Sequence, residues 1–529
     1  MTNFHVVGAA INTGECRSVE AFWNLIKTSQ VSISDFSDKY KDLDSDIICK
    51  KNLVCNVDLF DHNFFDLSYK DACKIDPQLR QLLLLAREAL ADGGISDYDE
   101  PKNISVYASV NHNTYYSYLE NSSIESPGFF LDRSFNDPGF YAGRIAYHLN
   151  LSGAAVNINT ACSSSLVALN NALMDLEFNN RDAVLVIGAN ITFPKELGYR
   201  AKKGMIYSLS GEYLPLTDQA DGIVEGDGVV ALLIKRSVCE SGKTYGTIVS
   251  SYVNSDGNDK FNFFSPSPEG VKDVIRTCLN KADLKLTDLS FIECHGTGTK
   301  AGDIIEIEAL DTLLKSTDSP INQLYIHSVK ANFGHLLHVS GLLGVLKACL
   351  VTKFGYLPAQ IHHHNGSFEH FTSRTDLLCN TEPVELEGQT LMGGITGLGM
   401  AGTNAHIIIS NSVDKFFSLK TTADITWDMR NCWYSDDIIY PNQSYLQKND
   451  RSEVFISLEI VLKNFVQDYL EDDITEESLW DIHLDDFDSF TLLTLSESIE
   501  KLIGKRIDYG ELISCLTLSD VKNKYGNGK

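Results

Sequence analysis

Short, nearly continuous apolar runs alternate with helical patterns from about residue 4 to residue 410. Such runs are typical of strands buried on both faces, since a strand exposed on one face alternates apolar and polar residues. The pattern occurs once before and once after about residue 250, so we expect an α/β fold in two related parts. The predicted strands are Phe4–Ala9, Ser105–Val110, Val156–Asn159, Ala183–Gly188, Val229–Ile234, Phe291–Cys294, Tyr325–Val329, Met392–Thr396 and Ala405–Ile409, and the predicted covering helices include Leu82–Ala91 and Leu342–Leu350.

Two segments of different character follow this α/β region, which we take as residues 1–410. Residues 411–452 are aromatic and polar without a clear period, and are predicted to form a linker or a strap on the first domain. Residues 453–529 carry apolar side chains at helical spacing, and from Asp450 onward 18 acidic residues outnumber 8 basic ones. These features predict a small, acidic, all-α domain. The helical spacing is clearest in Leu492, Leu495, Ile499 and Leu502.

The charge of the whole chain excludes several classes of function. Lys and Arg total 44 against 71 Asp and Glu, giving a formal net charge of −27. Nucleic acids and anionic membranes bind clustered cations, so neither is an expected partner. No stretch is apolar over the roughly 18 to 20 residues that a membrane span needs, and no signal peptide is visible. The 12 cysteines lack metal-ligand spacing, and we expect reduced thiols in a cytoplasmic protein without a metal site.

The stretch VNINTACSSSLVALNNALMDL joins a predicted strand to a predicted helix. Cys162 lies at the corner among small residues, which permit a sharp turn and leave room for a substrate. A thiol at a helix N-terminus interacts with the positive end of the helix dipole, which favours the thiolate. Most single cysteines are buried structural residues, but this position makes Cys162 the candidate nucleophile.

Two histidines follow later strands on glycine-rich loops. FIECHGTGTKAGDIIE contains His295, with Asp303 and Glu306 shortly after it, and SVKANFGHLLHVSG contains Lys330 and His335. A single histidine is more often a structural residue. In open α/β sheets, however, sites gather at the carboxyl ends of strands, so these loops and Cys162 are expected to form one active site.

Seven motifs occur in order along the chain. They are FFDLSYKDACKIDPQLRQLLLLAREAL, YAGRIAYHLNLSGAAVNINTACSSSLVAL, DGIVEGDGVVALLIKR, VNSDG, ECHGTGTKAGDIIE, VKANFGHLLHVSG and GTNAHIIIS. With them the chain resembles a β-ketoacyl synthase of the modular polyketide synthase type over about residues 4–410. The resemblance implies a thiolase-type fold with two pseudo-symmetric βαβαβ halves in α-β-α-β-α layers, usually a homodimer formed through the synthase domain.

The same resemblance assigns roles to the site residues. Cys162 would take an acyl group as a thioester, and a malonyl-type extender would lose carbon dioxide and attack that thioester. His295 and His335 would donate hydrogen bonds to the extender's thioester oxygen, which requires neutral imidazoles. Lys330 would orient the histidines and would pair with Glu306.

Met400 marks a departure from the family pattern. The family usually has Phe before the glycine pair of the GTNAH segment, whereas this chain has Met400 followed by Ala401. Met400 would then gate between the acyl-binding and extender-binding states, and its backbone N–H would help to form the oxyanion hole. Met is more flexible than Phe, so this departure affects acyl selectivity rather than the chemistry.

The segment WDIHLDDFDSFTLLTLSESIEKL resembles the attachment motif of an acyl carrier protein, so the predicted helical domain would be a four-helix carrier. A phosphopantetheinyl transferase would attach 4′-phosphopantetheine to Ser489, which follows Asp485, Asp486 and Asp488. Alternatively, Ser489 is a plain helix N-cap. The acidic surface fits docking against basic patches of partner enzymes.

The absence of a GxSxG elbow from this sequence implies that a separate, trans-acting acyltransferase loads the extender, with upstream and downstream carrier proteins as further partners. The expected activity is decarboxylative Claisen condensation on an assembly line. Two alternatives stay open: a non-elongating acyl-transfer or ester- or amide-forming homologue, and a non-catalytic chain-length or scaffold subunit. The first often lacks the histidine of HGTGT and the second lacks the nucleophile, whereas His295 and Cys162 are both present.

Replacing Ser489 with Ala is expected to abolish phosphopantetheinylation, because the hydroxyl is the proposed acceptor. Intact mass spectrometry after incubation with coenzyme A and a phosphopantetheinyl transferase measures the added arm. Ser498→Ala, a serine close by in the chain, is the control and should still gain the arm. An unchanged mass gain in Ser489→Ala would refute the assignment.

Overall fold

Contacts divide the chain into two units. The first consists of Met1–Val57, Gln81–Thr114 and Pro138–Ile425, and the second of Asp58–Arg80, Tyr115–Asp137 and Thr426–Lys529. The computed structural model describes residues 3–39, 47–116, 129–193, 198–202, 205–237, 243–260, 263–316, 324–361, 377–411, 419, 425–433, and individual residues and short segments between 458 and 525.

Eleven strands of the first unit form one mixed sheet. They are β1 (Phe4–Asn12), β2 (Ile104–Val110), β3 (Ala155–Asn157), β4 (Ala183–Asn190), β5 (Gly228–Lys235), β6 (Gly246–Ser255), β7 (Phe291–Glu293), β8 (Leu324–His327), β9 (Leu377–Leu378), β10 (Met392–Leu398) and β11 (Thr403–Ser410). Their order across the sheet is β9-β8-β7-β10-β11-β6-β1-β5-β4-β2-β3. Strands β2, β4 and β7 are buried at every residue, and β1, β5, β10 and β11 at all but one, as the continuous apolar runs predict.

The sheet repeats one strand order in its two halves. We number the strands of each half by their order along the chain. From the centre of the sheet outward, the first half has the order first, fifth, fourth, second and third (β1-β5-β4-β2-β3). The second half has the same order (β6-β11-β10-β7-β8) when β9, the additional strand at its outer edge, is not counted. The halves meet where β1 and β6 pair antiparallel, with Phe4 opposite Ile248. In both halves the outer strands are parallel, as in β2 with β3 and β7 with β8. This repetition matches the expected pseudo-symmetry.

The described helices of the two units follow in chain order. They are α1 (Val19–Lys27), α2 (Tyr69–Lys74), α3 (Pro77–Asp92), α4 (Phe129–Asn136), α5 (Tyr141–His148), α6 (Ser164–Phe178), α7 (Pro268–Lys281), α8 (Lys300–Lys315), α9 (Lys330–Phe333), α10 (Ser340–Phe354) and α11 (Leu518–Tyr525). Short strand pairs join Ser34–Asp35 to Lys50–Lys51, Ile47–Ile48 to Tyr199–Arg200, and Tyr356–Leu357 to Val384–Glu385.

Helices α6 and α10 occupy equivalent places in the two halves, each following the third strand. They pack on each other, and each also packs on strands of both halves. Thirteen consecutive residues of α10, from Ser340 to Thr352, are buried, because the helix is covered on all sides. The stretch Leu337–Phe354 is long and apolar enough to cross a membrane, contrary to the sequence expectation, but 83% of it is buried in the fold, as in a core helix.

All nine predicted strands coincide with strands of the sheet, but β6 and β9 were missed. The ten-residue strand β6 combines apolar residues with serines, and only its first three residues are continuously buried. Its serines bind neighbours: Ser250 donates a hydrogen bond to the Cys278 carbonyl oxygen, and Ser251 donates one to Asn170 Oδ1. Such tertiary partners allow polar residues in a central strand, which a pattern search does not detect.

The second unit includes residues 426–433 of the predicted strap. Arg430–Asn431 pairs antiparallel with Leu59–Phe60, and the Trp427 ring packs against Phe64 with 5.2 Å between ring centroids. Asp428 donates its backbone N–H to Asp61 at 2.9 Å. The aromatic residues of this segment therefore pack within its own unit.

The C-terminal part of the second unit has its own apolar core. Its described buried residues are Leu458, Leu462, Phe465, Val466, Leu479, Leu484, Phe487, Leu492, Leu495, Ile499, Ile507, Leu512, Cys515, Leu518 and Val521. Leu492, Leu495, Ile499 and Leu502 are helical, as their spacing predicts. The boundaries at residues 410 and 453 stay predictions.

Replacing Gly341 at the start of α10 with Ala is expected to lower the free energy of unfolding by about 1–3 kcal/mol. A Cβ there would lie 2.5 Å from Leu166 Cγ, a buried side chain of α6 that has little room to move. Gly143→Ala in α5 is the matched control, since its Cβ would meet no atom within 4 Å. Ala is favoured over Gly in a helix, so this variant should gain up to about 1 kcal/mol. Denaturant unfolding measures both, and equal stability of the two variants would contradict the packing described.

Candidate active site

Cys162 lies in the sharp turn between β3 and α6. The preceding residue, Ala161, has a φ of +56°, a left-handed conformation that is strained for a residue with a Cβ. Ser164 stabilises the turn, because its hydroxyl donates to the Ala161 carbonyl at 2.6 Å and accepts the Thr160 N–H at 2.8 Å. The turn directs a partly buried thiol into a cavity.

Burial dominates the protonation of this thiol. It raises the pKa of Cys162 to about 11, although the Lys330 ammonium and the backbone N–H of Cys162 favour the thiolate. The Glu225 carboxylate raises the pKa further. Desolvation of a buried anion outweighs the charges that favour the thiolate, so the thiol is protonated in the resting protein.

His295 lies on the glycine-rich turn after β7, and carboxylates of α8 hold that turn. Glu306 accepts the backbone N–H groups of His295 and Gly296 at 2.7 and 2.9 Å. Asp303 accepts those of Leu216 and Gly298 at 2.7 and 3.2 Å. Burial raises the pKa of Glu306 to about 7 and that of Asp303 to about 6, against these hydrogen bonds.

His335 follows α9 through Gly334, whose φ of +75° and close approach to the Val224 and Glu225 backbone suit glycine. Its Nδ1 accepts the Leu337 backbone N–H at 3.3 Å and lies 2.9 Å from the Ser340 hydroxyl. Because a backbone N–H can only donate, the neutral ring carries its proton on Nε2. That buried Nε2 has no hydrogen-bond partner among the described residues and is free to donate to a ligand.

The three groups converge at one place. The Cys162 sulfur and the ligand nitrogens of His295 and His335 all lie within 4.8 Å of one another, and the imidazole centroids are 5.6 Å apart. Burial, the Lys330 ammonium and neighbouring histidines lower the pKa of both imidazoles well below the usual value. Both rings are therefore neutral at physiological pH. Although a thiol with two imidazoles could bind a soft cation, the buried ammonium opposes one.

Lys330 and Glu306 do not form the ion pair that the sequence favoured. No contact within 4 Å joins the two charges in the described structure, because both Glu306 oxygens accept the backbone N–H groups of the His295 turn. Lys330 acts at longer range: burial lowers its pKa, while Glu293 and Glu306 oppose that decrease. Glu293 is itself held 2.6 Å from Lys347, so Lys330 lies in a buried field of several charges.

Cys162, His295 and His335 line a cavity of about 530 Å³. Met400 also lines it, on the tight turn between β10 and β11, and is 42% exposed. The neighbouring Gly399 leaves no room for a Cβ, which would lie 2.4 Å from the Thr160 carbonyl oxygen. Thus the Met400 turn lies against the turn that carries Cys162. The Met400 backbone N–H has no hydrogen-bond partner in the described part of the chain.

Several cavity residues escaped the sequence analysis, among them His112, Tyr207, Glu225 and His338. His112 follows β2 as His295 follows β7, so the pseudo-symmetry of the sheet could have indicated it. Glu225 lies within the DGIVEGDG motif, where an acidic residue among apolar and small ones was a signal. Ser489 and its aspartates lie outside the described residues, so the predicted carrier site has no structural description.

Comparison with known proteins defines the class. Residues 2–238 match "Beta-ketoacyl synthase, N-terminal domain" and residues 245–364 match "Beta-ketoacyl synthase, C-terminal domain". The chain therefore belongs to the β-ketoacyl synthase family.

Individual relatives are polyketide synthases. The chain is 30% identical over 431 residues to a phenolphthiocerol/phthiocerol polyketide synthase of Mycobacterium tuberculosis, with 77% of the chain and 29% of that protein covered. It is 30% identical over 420 residues to polyketide synthase PksN of Bacillus subtilis, with 76% and 8% covered. The chain thus spans less than a third of these relatives.

The fold is shared with solved ketosynthases. Ketosynthase twelve of the bacillaene polyketide synthase from Bacillus amyloliquefaciens superposes with a TM-score of 0.72 at 28% identity, covering 78% of this chain and 74% of that one. The expected thiolase-type ketosynthase fold, with a large mixed sheet, is confirmed for this region.

Alkylation of Cys162 by iodoacetamide should increase with pH towards a midpoint near 11, because only the thiolate reacts. Lys330→Met removes a positive charge that favours the thiolate, so the midpoint should rise and alkylation at pH 9 should slow. Lys300→Met, which removes an exposed lysine of α8, should leave the profile unchanged. Peptide mass spectrometry isolates Cys162 from the other thiols. A midpoint below 9, or one unaffected by Lys330→Met, would contradict this electrostatic description.

Proposed function

We propose that this chain is a ketosynthase–carrier didomain that performs decarboxylative Claisen condensation on a polyketide or hybrid assembly line. The single observation that supports this proposal most is the convergence of the Cys162 sulfur with His295 and His335 nitrogens within 4.8 Å. A nucleophile and two neutral hydrogen-bond donors in one cavity suit a reaction that forms a thioester and then an enolate.

In the first step the Cys162 sulfur attacks the carbonyl of an incoming acyl thioester. A new sulfur–acyl bond forms, the carbon–sulfur bond of the incoming thioester breaks, and the Cys162 proton ends on the departing thiol. Because the thiol is protonated at rest, the proton must leave as the sulfur attacks. The oxyanion would accept hydrogen bonds from backbone N–H groups, with that of Met400 as the proposed donor.

In the second step a malonyl-type thioester loses carbon dioxide. The electron pair of the breaking carbon–carbon bond forms an enolate, whose oxygen accepts hydrogen bonds from the imidazoles, with His335 donating through Nε2. The enolate carbon forms a bond to the acyl carbonyl carbon, the bond of that carbon to Cys162 breaks, and the released thiolate takes a proton from solvent water. Glu306 acts as a positioning residue through the backbone of His295.

The carrier part of the proposal rests on sequence. Ser489 would hold 4′-phosphopantetheine, whose thiol carries acyl groups when the arm is attached. A phosphopantetheinyl transferase, a trans-acting acyltransferase, and upstream and downstream carriers complete the proposed partners. We also propose the cytoplasm as the location, where reduced thiols persist.

A homodimer through the synthase domain is part of the proposal. Strand β3 lies at one edge of the sheet, which leaves its outer backbone groups available for pairing. Phe140 and Tyr147, from the segment next to it, are 53% and 81% exposed. Apolar side chains beside an unpaired strand edge support an isologous contact between two copies.

Two variants should separate the two steps. Cys162→Ala is expected to load no acyl group from an acyl thioester, because the nucleophile is missing. His335→Ala should still load Cys162 but should condense it with a malonylated carrier about 100-fold more slowly, the cost of one oxyanion donor. Intact mass spectrometry measures loading, and chromatography of released thioesters measures condensation.

Cys379→Ala, which removes a partly buried thiol outside the cavity lining, is the control and should perform both steps. Loading without condensation by the natural chain would favour the non-elongating alternative. Failure of the natural chain to load any acyl group would favour the scaffold alternative. Normal loading of Cys162→Ala would refute the nucleophile.

A further inference from the structure

Glu225 is an acidic residue of the cavity that the proposed condensation does not use. Its backbone runs beside that of His335: the Gly226 N–H donates to the His335 carbonyl at 3.0 Å, and the His335 N–H donates to the Val224 carbonyl at 2.8 Å. The Glu225 side chain lines the same cavity as Cys162. Its charge raises the pKa of the Cys162 thiol, which shows that the two groups lie within electrostatic range.

The hydrogen bonding of Glu225 is incomplete. Oε1 accepts the Tyr207 hydroxyl at 2.7 Å, whereas Oε2 has no hydrogen-bond partner in the described structure. Tyr207 also lines the cavity, so its phenolic oxygen can accept a further hydrogen bond there. Two acceptor atoms of adjacent side chains therefore line the space in which the acyl chain would lie.

No cation of the described residues neutralises this carboxylate. No ion pair within 4.0 Å involves Glu225, and the described residues that line the cavity include neither Lys nor Arg. The other two carboxylates of the lining, Asp303 and Glu306, accept backbone N–H groups of glycine-rich turns. Each of their oxygens already accepts a backbone N–H, which distinguishes them from Glu225.

Partial burial of a carboxylate without a counter-charge costs free energy, because the anion loses solvation. A positively charged hydrogen-bond donor offsets this desolvation penalty best. An ammonium group supplies both the opposite charge and several N–H donors. A hydroxyl supplies one donor and no charge, an alkyl group supplies neither, and a second carboxylate would be repelled. The affinity of the cavity for an acyl chain is therefore expected to depend on which of these groups the chain presents to Glu225.

We propose that Glu225 and Tyr207 form a specificity site for an ammonium group on the acyl chain that Cys162 accepts, so that the preferred substrates are aminoacyl thioesters. This inference rests on the proposed function, because it names the substrate class of the same site. Glu225 is the charge partner, and Tyr207 holds its carboxylate and offers a second acceptor. Neither residue takes part in bond breaking.

The experiment compares acyl thioesters of matched shape. Glycyl and β-alanyl thioesters carry the ammonium, propionyl and butyryl thioesters replace it with a methyl group, and glycoloyl and 3-hydroxypropionyl thioesters replace it with a hydroxyl. Initial rates of Cys162 loading by the full chain, followed by intact mass, give kcat/KM for each. At least one aminoacyl thioester should exceed its alkyl counterpart by about tenfold, with the hydroxyacyl thioester between them.

Glu225→Gln keeps the shape of the side chain and removes its charge. The preference for the aminoacyl thioester should fall to about one, and Tyr207→Phe should reduce it by a smaller factor. Glu212→Gln is the matched control, because Glu212 pairs with Lys50 at 2.6 Å and is not among the cavity residues. It should retain the preference of the natural chain. Iodoacetamide alkylation of Cys162 checks that each variant is folded, and should be faster in Glu225→Gln.

The outcomes separate this inference from the proposed function. A tenfold preference that is lost in Glu225→Gln and kept in Glu212→Gln supports the specificity site. Equal loading of aminoacyl and alkyl thioesters, or a preference that persists in Glu225→Gln, overturns it and leaves the condensation proposal intact. If no thioester loads while iodoacetamide still modifies Cys162, acyl transfer itself fails and the inference fails with it.

Discussion

Burial of two imidazoles beside an ammonium is the interaction on which the site depends. His295 and His335 share a desolvated region with Lys330, and both effects lower the pKa values of the two rings well below their usual value. Each ring therefore keeps one N–H donor and one acceptor at physiological pH. For His335 the acceptor is occupied by the Leu337 N–H, which leaves Nε2–H as the donor. The fold thus sets both the charge and the tautomer of this ring.

The repeated halves of the sheet explain how these groups meet. Cys162 precedes α6 after the third strand of one half, and Lys330 and His335 precede α10 after the third strand of the other. Because the two helices pack on each other, their N-terminal turns are brought together. The His295 turn follows the second strand of its half and is fixed to α8 through Glu306. Segments that are far apart in sequence therefore contribute to one cavity.

Sequence reasoning identified the strands and the three residues that converge at one place, because both depend on local patterns. Continuous apolar runs marked nine strands, and the turns around Cys162, His295 and His335 carried small residues and glycine. It failed where the outcome depends on tertiary surroundings. Two serine hydroxyls of β6 donate hydrogen bonds to Cys278 and Asn170, which are distant in the chain. The pKa of Cys162 depends on desolvation, and the role of Glu306 depends on which backbone groups face its carboxylate. The spacing of residues along the chain predicts neither of these.

The same desolvation bears on why neutral rings suit the proposed condensation. An imidazolium would attract the carboxylate of a malonyl group as strongly as it attracts the enolate, and so would stabilise the ground state together with the transition state. A neutral N–H donor stabilises the distant malonyl carboxylate less than an imidazolium would. It still donates a hydrogen bond to the thioester oxygen, on which negative charge develops. The carboxylate also loses solvation as it enters a buried cavity, whereas carbon dioxide carries no charge to solvate. Neutral donors next to the partly buried Cys162 therefore favour the loss of carbon dioxide over retention of the malonyl carboxylate.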